Sequence, residues 1–213
     1  MDGYDTLRTP DYSPLIVHFT KDSKFMRADL VPDDHPLHPY KNASAFDRLL
    51  HILTSKTVHA TPMPFLPTHA SAVCFTECIW KALTRHAKRY STYGIVISKR
   101  LVHKMGGGPA LYLRGDVLKE LGNNLPLRLE PFVVPFDPDA VVKAGVPQDW
   151  LHEREWRLPQ SLTFNYEDVE FVVVNTIEDA RKVVMQIGAY NLPEAKLIPM
   201  EVYETIAEAW GEK

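Results

Sequence analysis

Two periods of apolar residues run through the chain, and each predicts one type of secondary structure. Apolar runs at residues 15–20, 72–76 and 170–174 predict buried strands. Apolar residues spaced three and four apart at residues 44–53 and 177–187 predict amphipathic helices. Because strands and helices follow one another without strict βαβ alternation, the sequence predicts an α+β fold.

Shorter runs complete this expected order of elements. We expect further strands at 93–98, 109–113, 132–134, 155–158 and 196–199, and further helices at 77–90, 101–105, 117–121 and 201–210. The 213 residues contain no internal repeat or obvious linker, so a single domain over residues 1–213 is expected.

Composition excludes several classes of protein. The net charge of -3 argues against a broad basic surface, although a local basic groove remains compatible with it. No apolar run is long enough to span a bilayer, and the polar start lacks the apolar core of a signal peptide. Cys74 and Cys78 have no partners at zinc-finger spacing and form no disulfide framework. These features predict a cytoplasmic protein without a metal site or a membrane partner.

The segment 150–157 concentrates chemistry that a fold alone seldom requires. Glu153 and Glu155 are two residues apart, so on a strand their carboxylates share one face, with Arg154 and Trp156 on the other. Like charges held close together make ionisation costly, which favours a site that manages positive charge on a substrate. The alternative is a solvated strand edge with Arg–Glu pairs.

Other candidate side chains accompany this pair. His18 and Thr20 share a face of the first strand, where they are suited to bind a ribose or an amide or simply to meet solvent. Thr76 is a substrate contact or the N-cap of the following helix, and we favour the cap. The tyrosines near predicted strands form an aromatic wall or ordinary packing: Tyr90, Tyr93 and Tyr112.

Several familiar functional motifs are incomplete in this sequence. Gly106-Gly107-Gly108 lacks the Lys-Ser/Thr of a phosphate-binding loop and is better interpreted as a flexible turn. Cys74 sits in an apolar strand and is expected to be an inert core residue. His35 and His38 in a proline-rich loop are weak support for a metal.

The order of these segments resembles a known family. The segments that carry the resemblance are Val17–Thr20, Leu50–Leu53, Ala72–Glu77, Tyr90–Lys99, Pro109–Tyr112 and Glu153–Arg157. This series resembles the abortive-infection AbiGi family and its relatives of the DUF2971 type, which are similar to the DarT-like branch of the ADP-ribosyltransferase superfamily. The resemblance runs from about residue 15 to about residue 175.

The resemblance implies a split mixed β-sheet core with flanking helices and NAD bound, as a substrate, in the cleft. It implies Glu155 as the catalytic residue, with Glu153 completing a Glu-x-Glu pattern. The NAD-binding residues it implies are His18, Phe19, Thr20, Thr76, Tyr93 and Tyr112. The catalytic arginine of DarT-like enzymes has three equal candidates here, Arg48, Arg85 and Arg89.

The expected function is a mono-ADP-ribosyltransferase that acts as a toxin or phage-defence effector, with a cognate antitoxin protein as partner. The basic and aromatic residues of the segment Lys81–Arg100 favour a nucleic acid as acceptor, or else form a solvated helix face. An NAD glycohydrolase and a non-catalytic binding module on the same fold are the alternatives.

Overall fold

The computed structural model describes residues 12–22, 33–63, 70–78, 83–84, 87, 90–141, 147–148 and 151–209. The strands are β1 Leu15–Phe19, β2 Thr57–Val58, β3 Thr61–Pro62, β4 Ser71–Glu77, β5 Gly94–Ser98, β6 Gly108–Pro109, β7 Leu111–Arg114, β8 Val133–Val141, β9 Pro147–Gln148, β10 Trp156–Leu158, β11 Leu162–Thr163, β12 Val169–Val174 and β13 Leu197–Pro199. The α-helices are α1 Ala45–Ser55, α2 Lys99–Lys104, α3 Gly115–Leu121, α4 Ile177–Ile187 and α5 Met200–Ala209.

The main sheet is mixed, which confirms the predicted α+β class. Within the described residues its strands follow the order β13-β12-β5-β1-β4-β10-β6, and β3 pairs with the first two residues of β4, Ser71 and Ala72. β12 and β13 pair in parallel, whereas β12–β5, β5–β1, β1–β4 and β4–β10 are antiparallel. A second sheet joins β7, β8 and β9, and β2 pairs with β11.

The main sheet divides between β1 and β4. β1 pairs with β5 along its whole length, from Leu15 to Phe19. With β4 it pairs at only two positions, Ile16 with Glu77 and Val17 with Thr76. β4 continues instead along β10, opposite Trp156–Leu158. The sheet therefore opens beyond this short ladder, with β1 and β5 on one side and β4 and β10 on the other.

Apolar side chains cover both faces of the central strands. Ile95 and Ile97 of β5 belong to the cluster that packs under α1 and α4, whereas Val96 belongs to a cluster on the opposite face with Met200. All three β5 side chains are fully buried, which explains why this strand has a continuous apolar sequence rather than an alternating one.

α1 is fixed against the open part of the sheet. Its N-cap is Ser44, whose hydroxyl accepts the Asp47 N–H. The buried hydroxyl of Thr20 donates to the Ala45 carbonyl at 2.7 Å and ties the first turn of α1 to the end of β1. The helix ends at Lys56, which adopts the left-handed conformation at φ 51°.

The triple glycine leads from the end of α2 into β6 through a turn, as predicted, but the turn is closely packed rather than flexible. Gly106 follows α2 with φ 90°, and the Gly107 N–H donates to the Val102 carbonyl at 2.9 Å. A Cβ at Gly107 would collide with the Val102 side chain and approach the Arg157 carbonyl to 2.9 Å. Glycine is required here by close packing.

The predicted helix 77–90 is revised at its start. Glu77 is the last residue of β4 and pairs with Ile16, so it is not helical. Leu83, Thr84 and Ala87 are helical, and the rest of the interval 79–89 lies outside the described residues.

In the described part of the chain, no helix combines the length and apolar character needed to cross a bilayer.

Candidate active site

A cavity of about 600 Å³ lies where the main sheet opens. This volume lies within the usual range of small-molecule sites, which are mostly apolar with a few placed polar groups. Its apolar wall includes Ile52, Val58, Val73, Phe75, Val134 and Pro135. Among the described residues, its polar and charged lining includes His18, Thr20, Lys21, Arg48, His59, Thr61, Cys74, Thr76, Tyr90, Glu153, Glu155 and Arg157.

Both glutamates line this cavity, but the backbone that brings them there is not the predicted strand. Glu153 ends a 3-10 turn, Leu151–Glu153, and β10 begins only at Trp156. Between them Arg154 adopts a left-handed conformation with φ 45°. The predicted shared face for the carboxylates is found, whereas the strand alternation that was expected to produce it is absent before Glu155.

Glu155 is held by a buried arginine. The Arg157 Nε donates to Glu155 Oε1 at 2.9 Å, and Nη2 donates to Oε2 at 3.2 Å. Such a forked pair fixes the plane of the carboxylate as well as its position. Glu155 directly precedes β10 and Arg157 lies within it, so the two-residue period of the strand places both side chains on one face.

The guanidinium of Arg157 is itself anchored in the protein. It is 3% exposed, and Nη1 donates to the carbonyls of Val133 at 2.8 Å and Pro131 at 3.2 Å. These bonds satisfy a charge that would otherwise be costly to bury. Glu155 is therefore fixed through Arg157 to the start of β8.

Cys74 lines the cavity, so its predicted place in the core is wrong. Its side chain faces the open part of the sheet beside Glu155. Burial within the surrounding protein, together with the negative charge of Glu155, raises the pKa of the Cys74 thiol to about 12. The thiol is therefore protonated and a poor nucleophile at neutral pH, as the sequence indicated.

Glu153 is 6% exposed and accepts hydrogen bonds from two hydroxyl groups. The Tyr90 hydroxyl donates to Glu153 Oε2, and the Thr76 hydroxyl lies 3.5 Å from the same oxygen. The predicted role of Thr76 as a helix N-cap is wrong, because Glu77 continues the strand. The two hydroxyl groups orient this carboxylate from β4 and from Tyr90.

Arg154 points away from the cavity, as expected. Its Nη1 lies 3.8 Å from Glu77 Oε1, and Glu77 also binds Lys99 at 3.1 Å and the Ser13 N–H at 2.7 Å. The side chain of Arg154 thus contributes to an ion-pair network behind β4 while its neighbours face the cavity.

His18 bridges the opening of the sheet. Its Nδ1 lies 2.9 Å from the Cys74 carbonyl, which can only accept a hydrogen bond. The proton therefore sits on Nδ1, and Nε2 is the acceptor of the neutral ring. Burial lowers the pKa of His18, which favours this neutral form. A ring acceptor in the cavity lining suits a hydroxyl or an amide N–H of a ligand.

Phe19 and Thr20 line the cavity beside His18. Phe19 stacks on Tyr90 with ring centroids 5.8 Å apart. The hydroxyl of Thr20 bonds to the carbonyls of Ala45 and Tyr93, so its contribution to the site is the anchoring of α1.

The two remaining predicted tyrosines occupy different positions. Tyr93 lies outside the cavity lining, where its hydroxyl donates to Asp179 at 2.9 Å and its ring packs on Phe46. Tyr112 supports the glutamate segment from behind, because its hydroxyl accepts the Glu155 N–H at 3.3 Å.

Of the candidate arginines, Arg48 lines the cavity. Its guanidinium donates to the carbonyls of Tyr40, Lys41 and Lys21, so it also holds the loop before α1. Arg85 and Arg89 lie outside the described residues. Among the residues that are described, no group of three His, Cys, Asp or Glu side chains has the geometry of a metal site.

Arg157 is a site residue that the sequence did not predict, although the chain carries one signal for it. Arg157 follows Glu155 at strand spacing, which is the pattern of a pair on one face. Arg48 was named only as one of three arginines, and its contact with the loop depends on tertiary structure.

We found no match for the chain among protein-family models, curated proteins or solved structures.

Proposed function

We propose that the protein is an NAD-dependent mono-ADP-ribosyltransferase of a toxin or phage-defence type, with a nucleic-acid base as acceptor. The observation that carries the proposal is the pair Glu153 and Glu155, both buried or half-buried and both facing one cavity at the opening of the sheet. A cationic transition state is the chemistry for which two fixed carboxylates are suited.

The charges of the cavity suit a substrate that is cationic at one end and anionic in the middle. Besides Glu153 and Glu155, the described lining of the cavity carries three basic side chains: Arg157, which pairs with Glu155, Lys21, which lies over the Tyr90 ring, and Arg48 of α1. NAD carries a positive nicotinamide ring and a negative diphosphate. Coulomb attraction therefore favours nicotinamide ribose near the glutamates and the diphosphate toward Lys21.

Each glutamate has a distinct role in the proposed reaction. The bond between the ribose C1′ and the nicotinamide nitrogen breaks, and nicotinamide leaves with the bonding electron pair as a neutral molecule. Glu155, oriented by Arg157, stabilises the oxocarbenium-like ribose in the transition state. The acceptor nitrogen or oxygen then bonds to C1′, and its proton passes to Glu153.

Labelled NAD tests this function directly. The full chain is incubated with NAD labelled in the adenylate part and with separate pools of DNA, RNA and protein. We expect label in a nucleic-acid pool together with release of nicotinamide. Label in the protein pool would refute the acceptor, and neither label nor nicotinamide release in any pool would refute the use of NAD.

One observation favours an NAD glycohydrolase as the second candidate. Lys99, a member of the basic segment predicted to meet nucleic acid, is 8% exposed and bound to Glu77. The charge of Lys99 therefore pairs with a carboxylate inside the fold and does not line a groove for nucleic acid. Incubation with NAD alone separates the two activities, because a hydrolase releases nicotinamide rapidly without any macromolecule.

A further inference from the structure

Three histidine rings lie together beside one wall of the cavity. His59 belongs to the lining, and its ring centroid lies 6.1 Å from that of His35 and 6.1 Å from that of His51. His51 projects from α1 and stacks on Tyr40 at 3.8 Å. The rings thus connect α1, the turn between β2 and β3, and residues 33–44, which we call the strap.

The strap forms part of the cavity wall through Leu37. Its second half is held by Arg48, which donates to the Tyr40 carbonyl at 2.8 and 3.0 Å and to the Lys41 carbonyl at 2.8 Å. Arginine stays charged at any ordinary pH, so this half of the contact is insensitive to protons. The first half is held by His35.

The contacts of His35 define its protonation state. The Leu37 backbone N–H donates to Nδ1 at 3.1 Å, and Nε2 lies 2.9 Å from the Ala60 carbonyl. An amide N–H can only donate and a carbonyl can only accept, so His35 is neutral with its proton on Nε2. A second proton on Nδ1 would set two donors against each other and break the bond to Leu37, which lies within the strap, while Nε2 would still donate to the Ala60 carbonyl.

Protonation would also place positive charges side by side. Burial lowers the pKa of His51, and burial together with the neighbouring charges of His51 and His35 lowers that of His59. The Nε2 atom of His51 is buried and has no hydrogen-bond partner among the described residues. Every one of these conditions favours the neutral rings.

The other charged groups of these elements are engaged elsewhere or exposed. Asp33 and Lys41 both contact His38, at 2.9 and 2.8 Å. Asp47 accepts from the Ser44 hydroxyl at the start of α1, and Asp34 is exposed. Lys56, which precedes β2, lies over the Tyr166 ring. In these contacts no carboxylate offsets a charge on the three rings.

We infer that His35, His51 and His59 form a proton-sensitive latch on the cavity. With the three rings neutral, the strap is closed and Leu37 and His59 complete the wall. Protonation of the rings as the pH falls breaks the Leu37 contact inside the strap and places like charges on both sides of the His35–His59 contact, which releases the first half of the strap and opens the wall. The latch concerns the cavity itself and does not depend on the chemistry proposed for the glutamates.

Hydrogen exchange of the full chain, without any ligand, tests the latch. Exchange at pH 7.5 and pH 5.5 is corrected for the intrinsic effect of pH on amides. We expect the protection of the Leu37 amide to fall by about tenfold or more at pH 5.5, which corresponds to roughly 1.4 kcal/mol. In His35→Asn the side-chain oxygen can still accept from Leu37 but does not titrate, so most of this fall should disappear.

The matched control is His38→Asn, which removes a histidine of the same strap that faces Asp33 and Lys41. It should keep the wild-type fall in protection. Equal protection of Leu37 at both pH values in the wild type, or an undiminished fall in His35→Asn, would overturn the latch. Nitrogen-15 NMR of wild-type histidines gives an independent readout: a neutral His35 protonated on Nδ1 at pH 7.5 would also refute it.

Discussion

At the scale of single residues, the site depends on how each carboxylate is oriented. Glu155 is fixed by two bonds from Arg157, and Glu153 by the hydroxyl groups of Tyr90 and Thr76. The two carboxylates thus face one cavity but have different partners, one a buried cation and the other neutral donors. This difference in environment suits the two carboxylates to the different roles that we propose for them.

Replacing Glu155 by Gln keeps the shape of the side chain and removes its negative charge. We expect kcat/KM for nicotinamide release from NAD to fall by about three orders of magnitude, as when a preorganised electrostatic partner of a transition state is lost. Steady-state assays with purified protein measure it. Glu178→Gln, on the exposed face of α4, is the control and should keep wild-type activity. Wild-type activity in Glu155→Gln would remove Glu155 from the proposed mechanism.

Arg157→Lys keeps a positive charge but cannot reproduce the fork. One ammonium group cannot bond both Glu155 oxygens and the carbonyls of Pro131 and Val133 at once, so buried acceptors lose donors. We expect a loss of about 2 kcal/mol in the free energy of unfolding, measured by urea denaturation. Arg181→Lys on the surface of α4 should stay within about 0.5 kcal/mol of the wild type.

At the scale of elements, the left-handed turn at Arg154 joins the 3-10 turn Leu151–Glu153 to strand β10. A non-glycine residue at φ 45° is disfavoured by about 1–2 kcal/mol relative to the ordinary regions. The 3-10 turn before it and β10 after it place Glu153 and Glu155 in one cavity. The conformation of this single residue therefore determines the geometry of the site.

Two substitutions, Arg154→Gly and Arg154→Val, test whether residue 154 adopts the observed turn or the strand conformation that the sequence predicted. Glycine adopts positive φ readily, so Arg154→Gly should fold with a stability within about 1 kcal/mol of the wild type. Valine strongly disfavours positive φ, so Arg154→Val should lose about 1–2 kcal/mol. Thermal denaturation compares them. If Val were the more stable variant, the segment would be a regular strand.

Periodicity predicted most elements of the described fold, because α1, α4, β1, β5 and β12 carry clear apolar patterns. It did not predict the turn at Arg154, since an arginine carries no local signal for positive φ. It also misplaced Cys74, because an apolar strand residue at an opening of the sheet is indistinguishable by sequence from one in the core. Tertiary contacts such as those of Arg48 have no periodic signature at all.

A substitution at Gly107 tests how closely α2 packs against β10. Its absent Cβ makes room for Val102 and for the Arg157 carbonyl, so Gly107→Ala should cost about 2–3 kcal/mol through overpacking. At Gly115, which begins α3, an added methyl group would meet no atom within 4 Å, so Gly115→Ala should be close to neutral. Urea denaturation of both variants decides whether close approach, rather than loop flexibility, explains the triple glycine.

At the scale of the whole molecule, the opening of the sheet creates the cavity and is bridged by a histidine. β1 and β4 share only the pairs Ile16–Glu77 and Val17–Thr76, and His18 then spans the opening to the Cys74 carbonyl. The same feature that makes space for a ligand thus depends on a neutral imidazole. Because burial lowers the pKa of that imidazole in the folded state, the stability of the fold is linked to pH.

Acid should destabilise the whole fold through this bridge. Burial lowers the pKa of His18 below its ordinary value of 6.5, so the unfolded chain binds a proton more readily than the folded one. By linkage, the contribution of His18 to stability is complete above about pH 6.5 and is lost as the pH falls toward the folded pKa. Urea midpoints at pH 7.5 and 5.5 should therefore differ in the wild type.

His18→Asn retains an N–H donor for the Cys74 carbonyl without titrating, so the difference between the two midpoints should shrink. His103→Asn, on the exposed face of α2, should leave that difference unchanged. An equal pH dependence in wild type and His18→Asn would show that the opening of the sheet is not held by the neutral ring.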